Sequence, residues 1–324
     1  MTRRNVAVAA QCLVSVALLV LLFRSLDLEA FRQLFARLPI WFYALSLTVV
    51  VAGQMLYAWR WRQLLIAGGV PVSFGSVLEQ YFIGVFLNNF FPSTVGGDMA
   101  KVYYLGRRHG YRPITASIVL DRLLGIGLLA LLATVTQWMV PVPSPRLVAA
   151  RAVVTLMAVV IVTVFAVAAV GTGGLPQRLA RFGDKAVALA SRLQRFRLEM
   201  APVIRSPRIL LIAAAVVATY FLAITAIYDI FIVLNTSARP TFLVLLTTVA
   251  TASLLSNLPV SLNGLGLREQ LHAMLLQPLG VPREAAVAIS LLLFAHLLVT
   301  SIGGFILWLR VPVIPADTEQ PTGA

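Results

Sequence analysis

Long apolar runs dominate the chain, and polar residues gather in short breaks between them. Six runs read as full membrane spans: roughly 5–23, 39–58, 114–140, 148–170, 208–234 and 285–309. Each holds about 18 or more mostly apolar residues, enough to cross a ~30 Å hydrocarbon core as a helix. Two further apolar regions, 75–105 and 241–282, are interrupted midway by Pro, Gly, Asn and charge. A shorter segment, "SLDLEAFRQLFARL" at 25–38, places Leu28, Phe31, Leu34, Phe35 and Leu38 on one helical face and reads as a helix lying in the outer interface.

Basic residues set an orientation. Arg3, Arg4, Arg60, Arg62, Arg107, Arg108, Arg112, Arg178, Arg181, Lys185, Arg192, Arg195, Arg197, Arg205 and Arg310 alternate with a sparser set, Arg24, Arg32, Arg37, Arg146, Arg151, Arg239 and Arg283. Positive charge favours the cytoplasmic side, so the expected N-terminus is cytoplasmic. This parity makes 75–105 enter and leave from the cytoplasm, and 241–282 from the far side. Their arms are short for full crossings, so both read as re-entrant helical hairpins. The tips "NNFFPSTVGGD" and "SNLPVSLNGLG" resemble each other: Asn, an apolar stretch, Pro, a small hydroxyl residue, then glycines. Broken segments at matching places with opposite topology are the mark of an inverted repeat.

The expected fold is therefore an all-α polytopic membrane protein with about six full transmembrane helices, two re-entrant hairpins and the pattern of an inverted repeat. Residues 1–310 form one membrane domain. A basic amphipathic connector over 171–206 rests on anionic lipid, and 311–324 is a disordered tail. Composition agrees: 60% of residues are hydrophobic, 12% are charged, and mean hydropathy is +0.91, whereas soluble domains carry about 25% charged residues. The net charge of +14 follows the positive-inside ladder and points to lipid headgroups, not nucleic acid. Cys12, the one cysteine, lies in the first apolar run, so neither an intrachain disulfide nor a thiolate metal site is expected. The first run is long and has no small-residue cleavage site after it, and it reads as an uncleaved span.

Non-helical backbone at membrane depth needs protein or a water-filled cavity around it, which makes the broken segments the place to look for function. Pro92 and Pro259 end the entering helices; Gly96, Gly97, Gly264 and Gly266 permit sharp turns there. Asn88, Asn89, Asn257 and Asn263 add polar groups at the tips. The exit helices begin near Gly97 and Gly266, and their N-termini suit anions. Lys101 and Arg268 stand about one turn in, placed to contact a phosphate. Asp98 has three readings: a helix cap, an ion pair with Lys101 or Arg122, or a proton-carrying site. Glu269, beside Arg268, is similarly open. Asp121 and Arg122 lie two turns into the third span, and Arg122 is read as facing the inner cavity. Asp229 reads as interfacial, and His272 and His296 as packed or hydrogen-bonded helical residues.

Enzyme motifs are absent from the sequence: "STVGGDMAK" lacks the Walker A pattern, and neither H-E-x-x-H nor G-x-S-x-G occurs. The reading is a non-enzyme without cofactors or metal.

The segments "NNFFPSTVGGDMAKVYYLGRRHG", "ASIVLDRLLGIGLLALL" and "LPVSLNGLGLREQLHAMLL" resemble the flippase-like membrane domain family, also called the lysylphosphatidylglycerol synthase transmembrane region or the YbhN-like and AglD-like proteins. The resemblance runs from about residue 8 to 310. Its P-x-x-x-G-G-D element falls on Pro92, Gly96, Gly97 and Asp98. The acid-Arg-x-x-Gly element falls on Asp121, Arg122 and Gly125. The N-G-x-G-x-R-E element falls on Asn263, Gly264, Gly266, Arg268 and Glu269. The basic position after G-G-D is often Arg in the family and is Lys101 here, which keeps the charge and loses the bidentate fork. Multi-domain relatives carry a soluble C-terminal domain that transfers an aminoacyl group to phosphatidylglycerol; the few residues after Arg310 leave no room for it. The resemblance implies a stand-alone lipid translocase for an anionic lipid or a polyprenyl-phosphate-linked substrate in a bacterial cytoplasmic membrane. The alternative is an accessory protein that presents lipid to a separate glycosyltransferase or lipid-modifying synthase. No oligomeric state is read from the sequence.

Overall fold

The computed structural model describes residues 13–17, 20–22, 24, 26–90, 96–140, 145–170, 191, 194, 198, 201–258, 261 and 264–310. Among the described residues the chain is helical, with no strand. The helices are α1 (Leu28–Ala36), α2 (Ile40–Ala67), α3 (Phe74–Phe90), α4 (Gly96–His109), α5 (Tyr111–Met139), α6 (Pro145–Val170), α7 (Pro207–Asn235), α8 (Phe242–Ser256), α9 (Leu267–Leu276) and α10 (Arg283–Arg310). Five of them, α2, α5, α6, α7 and α10, contain stretches long and apolar enough to span a membrane. Most of the expected first span, most of the connector and the tail lie outside the described residues, as do Pro92, Pro259 and Asn263.

Local chemistry sets several boundaries. Asp27 caps α1 by accepting from the amides of Glu29 (3.0 Å) and Ala30 (3.1 Å), and Phe31, Leu34 and Phe35 turn toward the core. Ser206 caps α7, with Pro207 at its first position, where a missing N–H costs nothing. The second span departs from expectation. It does not stop at Ala58 but continues to Ala67, which carries Arg60 inside the helix, where it is buried. Arg60 was assigned to a cytoplasmic loop by charge alone; the apolar run Leu64–Leu65–Ile66–Ala67 after it extends the helix instead.

The broken segments form helix pairs. From Asn88 through Gly84 to Tyr81, the partners of α3 advance along α4 from Gly97 to Lys101, so the two run antiparallel. Helices α8 and α9 also pack on each other. At 1.5 Å per residue, α3, α4, α8 and α9 reach only about 25, 21, 22 and 15 Å. Each falls short of a ~30 Å hydrocarbon core.

Packing follows a two-fold rule. Helix α3 packs on α10 while α8 packs on α5; α4 packs on α5 while α9 packs on α10; α2 packs on α3 while α7 packs on α8. Exchanging α2–α5 for α7–α10 therefore preserves these neighbours, and α2 packs directly on α7. A polar pair ties each hairpin's first arm to the opposite half. Asn89 Nδ2 donates to Ser301 Oγ (2.6 Å), and Gln137 Nε2 donates to Thr251 Oγ1 (2.8 Å). The shared core around Phe42, Phe231, Val249 and Ala286 lies between the halves. Outward positions such as Leu156, Leu211 and Leu309 are exposed apolar side chains, as a lipid-facing surface requires.

Candidate functional site

The first hairpin is built on a glycine contact. Gly97 presses against Gly84, and a Cβ on Gly97 would run into the Gly84 carbonyl. This close approach lets Asn88 Oδ1 accept from the Gly97 amide at 2.9 Å. The helix N-terminus of α4 is thus satisfied by a neutral amide from the other arm. Asp98, in the first turn of α4, is left to meet cations. Its carboxylate accepts from Lys101 Nζ (3.4 Å) and is paired with Arg122 Nε of α5. Of the three sequence readings of Asp98, the geometry matches the ion pair.

Lys101 is held on two further sides. Its ammonium lies 5.1 Å from the Trp61 ring and 4.9 Å from the Tyr81 ring, positions where the ring faces attract a cation. Asp121, one residue before Arg122, points to a different partner. Its Oδ1 accepts from Arg60 Nε at 2.9 Å, and its carbonyl accepts from Arg60 Nη2 at 3.3 Å. Arg60 is only 4% exposed and stacks 4.9 Å from Tyr57. Gly125, one turn beyond Asp121, provides the space: a Cβ there would abut the guanidinium. The Nη1 of Arg60 is buried without a partner.

The second hairpin disposes of its charges differently. Gly264 and Gly266 adopt positive φ, +75° and +77°, a conformation costly for any residue with a Cβ. Glu269 is fully buried and closes back on the helix start, its Oε2 accepting from the Gly266 amide at 2.8 Å. Its Oε1 accepts from Arg268 Nη2 at 2.7 Å and from Ser290 Oγ at 3.4 Å. Arg268 also lies 4.7 Å over the Phe294 ring. His272 donates through Nδ1 to the Arg268 carbonyl (2.8 Å) and stacks on Tyr228 at 5.2 Å, a packed, hydrogen-bonded histidine. At each helix N-terminus expected to bind anions, one amide is therefore already taken by an internal acceptor.

The structure gathers Asn88, Gly96, Gly97, Asp98, Lys101, Asp121 and Arg122 on one side, and Gly264, Gly266, Arg268 and Glu269 on the other. Asn89 holds α10, and Asn257 donates to its own helix at the Ser253 carbonyl (2.8 Å). Where α2 packs on α7, Tyr57 and Tyr220 have ring centroids 5.0 Å apart. Tyr57 faces Arg60, whose guanidinium lies 4.9 Å from its ring. Tyr220 fits because Gly53 presents bare backbone to its ring. Sequence reasoning missed Arg60, Trp61, Tyr57, Tyr81 and Tyr220. The available signal was "YAWRWRQLLIA", where an Arg is followed by another full turn of apolar residues. Among the described residues, no group of three or more His, Cys, Asp or Glu is placed to hold a metal ion.

Among curated proteins, the chain is similar to UPF0104 membrane protein PH1989 of Pyrococcus horikoshii, at 30% identity over 118 residues. That match covers 35% of each chain, so it spans about a third of the relative's length. No solved structure matches. The family model described as the lysylphosphatidylglycerol synthase TM region matches residues 8–304, a range that contains the motifs at Pro92–Asp98, Asp121–Gly125 and Asn263–Glu269. The chain belongs to the lysylphosphatidylglycerol synthase TM region family.

Proposed function

We propose that this protein moves a lipid with an anionic headgroup, a phospholipid or a polyprenyl-phosphate-linked sugar, between membrane leaflets. The supporting observation is the pair of charged clusters on short, broken helices, with an aromatic contact, Tyr57–Tyr220, where the two halves meet. Ionisable groups within membrane segments are costly, and where they occur they mark substrate paths by default. A headgroup entering beside the first hairpin meets Lys101 and Arg122 and, beyond the tyrosines, Arg268. The acyl chains stay in lipid, as the apolar exterior permits. In this reading the protein is not an enzyme. It sits in the bacterial cytoplasmic membrane with its N-terminus inside, so the first hairpin opens to the cytoplasm and the second to the far side.

The test is exchange of labelled anionic phospholipid across proteoliposome leaflets. Exchange well above protein-free vesicles is expected, with loss in a Lys101→Met, Arg122→Met, Arg268→Met triple variant that still folds. Unchanged exchange in that variant would sink the mechanism. If wild-type protein shows no exchange but copurifies with a glycosyltransferase or lipid-modifying synthase, the accessory role replaces it.

A further inference from the structure

The five charged groups of the first site do not balance. Among the described residues, Arg60, Lys101 and Arg122 face Asp98 and Asp121, which leaves one net positive charge. In the second site, Arg268 and Glu269 cancel. Arg122, with a side chain 45% exposed, shares its charge with its surroundings, but the other two cations do not. Arg60 and Lys101 have side chains only 5% and 12% exposed, and burying an uncompensated charge is expensive. A guanidinium cannot escape that cost by losing its proton.

A second observation points the same way. Arg60 Nη1 is a buried donor with nothing to accept from it, a state that costs free energy until an acceptor arrives. It belongs to the guanidinium that faces the bare backbone of Gly125. Asp121, which holds Arg60, and Arg122, which holds Asp98, are consecutive residues of α5, so the two ion pairs lie side by side.

On the strength of the lipid-translocation reading above, we propose that the first site is a receptor for a lipid-borne phosphodiester carrying one negative charge. Arg60 supplies its unused donor, and Asp98 is the internal anion from which the phosphate takes Arg122 and Lys101. A single negative charge brings the cluster to neutrality with both carboxylates still ionised. A phosphomonoester, which carries about −1.5 to −2 near neutral pH, overshoots. A zwitterionic headgroup with no net charge leaves the excess in place.

The experiment measures equilibrium binding of spin-labelled phosphatidylglycerol and phosphatidic acid to the full chain in phosphatidylcholine nanodiscs near neutral pH. Wild-type protein should prefer the diester. Asp98→Asn, which raises the net charge by one, should shift the ratio of the two affinities toward phosphatidic acid by roughly tenfold. Lys101→Met, which brings the net charge to zero, should abolish the preference for phosphatidylglycerol over phosphatidylcholine. It serves as the test where Asp98→Asn does not fold. Gly125→Ala should weaken both anionic lipids together. An unchanged ratio in folded Asp98→Asn, or undiminished preference in folded Lys101→Met, overturns the proposal.

Soluble glycerophosphoglycerol separates the sources of the diester. Competition only at about 100-fold higher concentration than the lipid supports a lipid-borne ligand; competition at equal concentration overturns the lipid assignment. Binding needs no leaflet exchange, so the two readings fail separately. Diester-selective binding without exchange removes translocation alone. Exchange without charge selectivity removes this inference alone.

Discussion

The two hairpins use the same backbone device and dispose of their charges in opposite ways. In the first, a neutral amide, Asn88, satisfies the start of α4, which leaves Asp98 to hold two cations. In the second, Glu269 itself satisfies the start of α9, and Arg268 is the counter-ion that makes burying it tolerable. The capping choice thus decides the net charge of each site. A neutral cap leaves an excess cation beside a buried Arg60, while an acidic cap gives a neutral, self-contained pair. The equivalence extends to single positions. Arg122 follows Tyr111 by eleven residues, and Phe294 follows Arg283 by eleven, in helices α5 and α10 that the two-fold rule exchanges. Asp98 reaches Arg122 as an ion pair, and Arg268 reaches Phe294 as a cation over a ring.

The largest expected effect tests whether the halves are inverted. With Cys12→Ser as background, Arg108→Cys lies at the end of the first hairpin and Gln277→Cys at the end of the second, both exposed. A membrane-impermeant maleimide should label them from opposite sides of sealed vesicles, each one all-or-none. Labelling of both from one side breaks the inverted repeat and leaves the hairpins merely similar.

Next in size is the cost of stranding a charge. Asp121→Asn leaves Arg60 buried and still charged, because a guanidinium does not deprotonate; breaking such a pair costs about 3–5 kcal/mol. Arg268→Gln leaves Glu269, which can take up a proton and keep its Gly266 and Ser290 contacts, so its cost should be smaller by about 1 kcal/mol or more. Reversible unfolding in mixed dodecyl sulfate micelles measures both. Equal losses would erase the proposed asymmetry.

How much of this was legible in the sequence follows from which forces act locally. Five of the six expected spans and the two broken segments were legible because hydropathy and Pro–Gly breaks act over neighbouring residues. The Asp98–Lys101 contact was legible because three residues along a helix is one turn. That Asp98 also meets Arg122 and that Arg60 meets Asp121, 61 positions away, depends on how α2, α4 and α5 pack, which spacing alone does not carry. Arg60 was hidden for a sharper reason: positive charge near a span end is ordinarily a loop signal, and only the apolar turn beyond it shows that the helix continues. The resemblance between the two tips was legible as a motif. The exchange of neighbours between halves became visible only once the helices were packed.

Backbone approach separates the hairpins on a smaller scale. Gly97→Ala drives a Cβ into the Gly84 carbonyl and the Asn88 side chain, and the α3–α4 contact must open; overpacking of this kind costs about 1–3 kcal/mol. Gly264→Ala meets the Ser256 carbonyl at 3.2 Å and also sits at positive φ, so its cost is mainly conformational, about 1–2 kcal/mol. The discriminating measurement is accessibility of Asn88→Cys, which should rise in the Gly97 variant and stay unchanged in the Gly264 variant. The polar ties come next. Asn89→Ala and Gln137→Ala each remove one interhelical hydrogen bond, worth about 0.6–2 kcal/mol in a membrane. Two-fold equivalence predicts similar losses for the two.

The smallest expected effect is the most specific to the comparison. Phe294→Leu removes the ring under Arg268 and keeps an apolar side chain of similar length. Arg268 retains its bond to Glu269, so only the cation–π term is lost, about 0.5–1 kcal/mol for a cation that is partly exposed. A Phe294→Arg exchange asks more of the same position. It imports the residue that α5 carries at Arg122 into a site whose acid is already committed to Arg268 and the Gly266 amide. The new guanidinium finds a neutral pair instead of a spare carboxylate, so this variant should lose more stability than Phe294→Leu. Adding Gly266→Asp, which sets a carboxylate near the start of α9, does not rescue it, because that glycine stands at φ +77°, where a side chain is strained. If Phe294→Arg proves as stable as the wild type, Glu269 has room for a second cation, and the distinction between a charged and a balanced hairpin is lost.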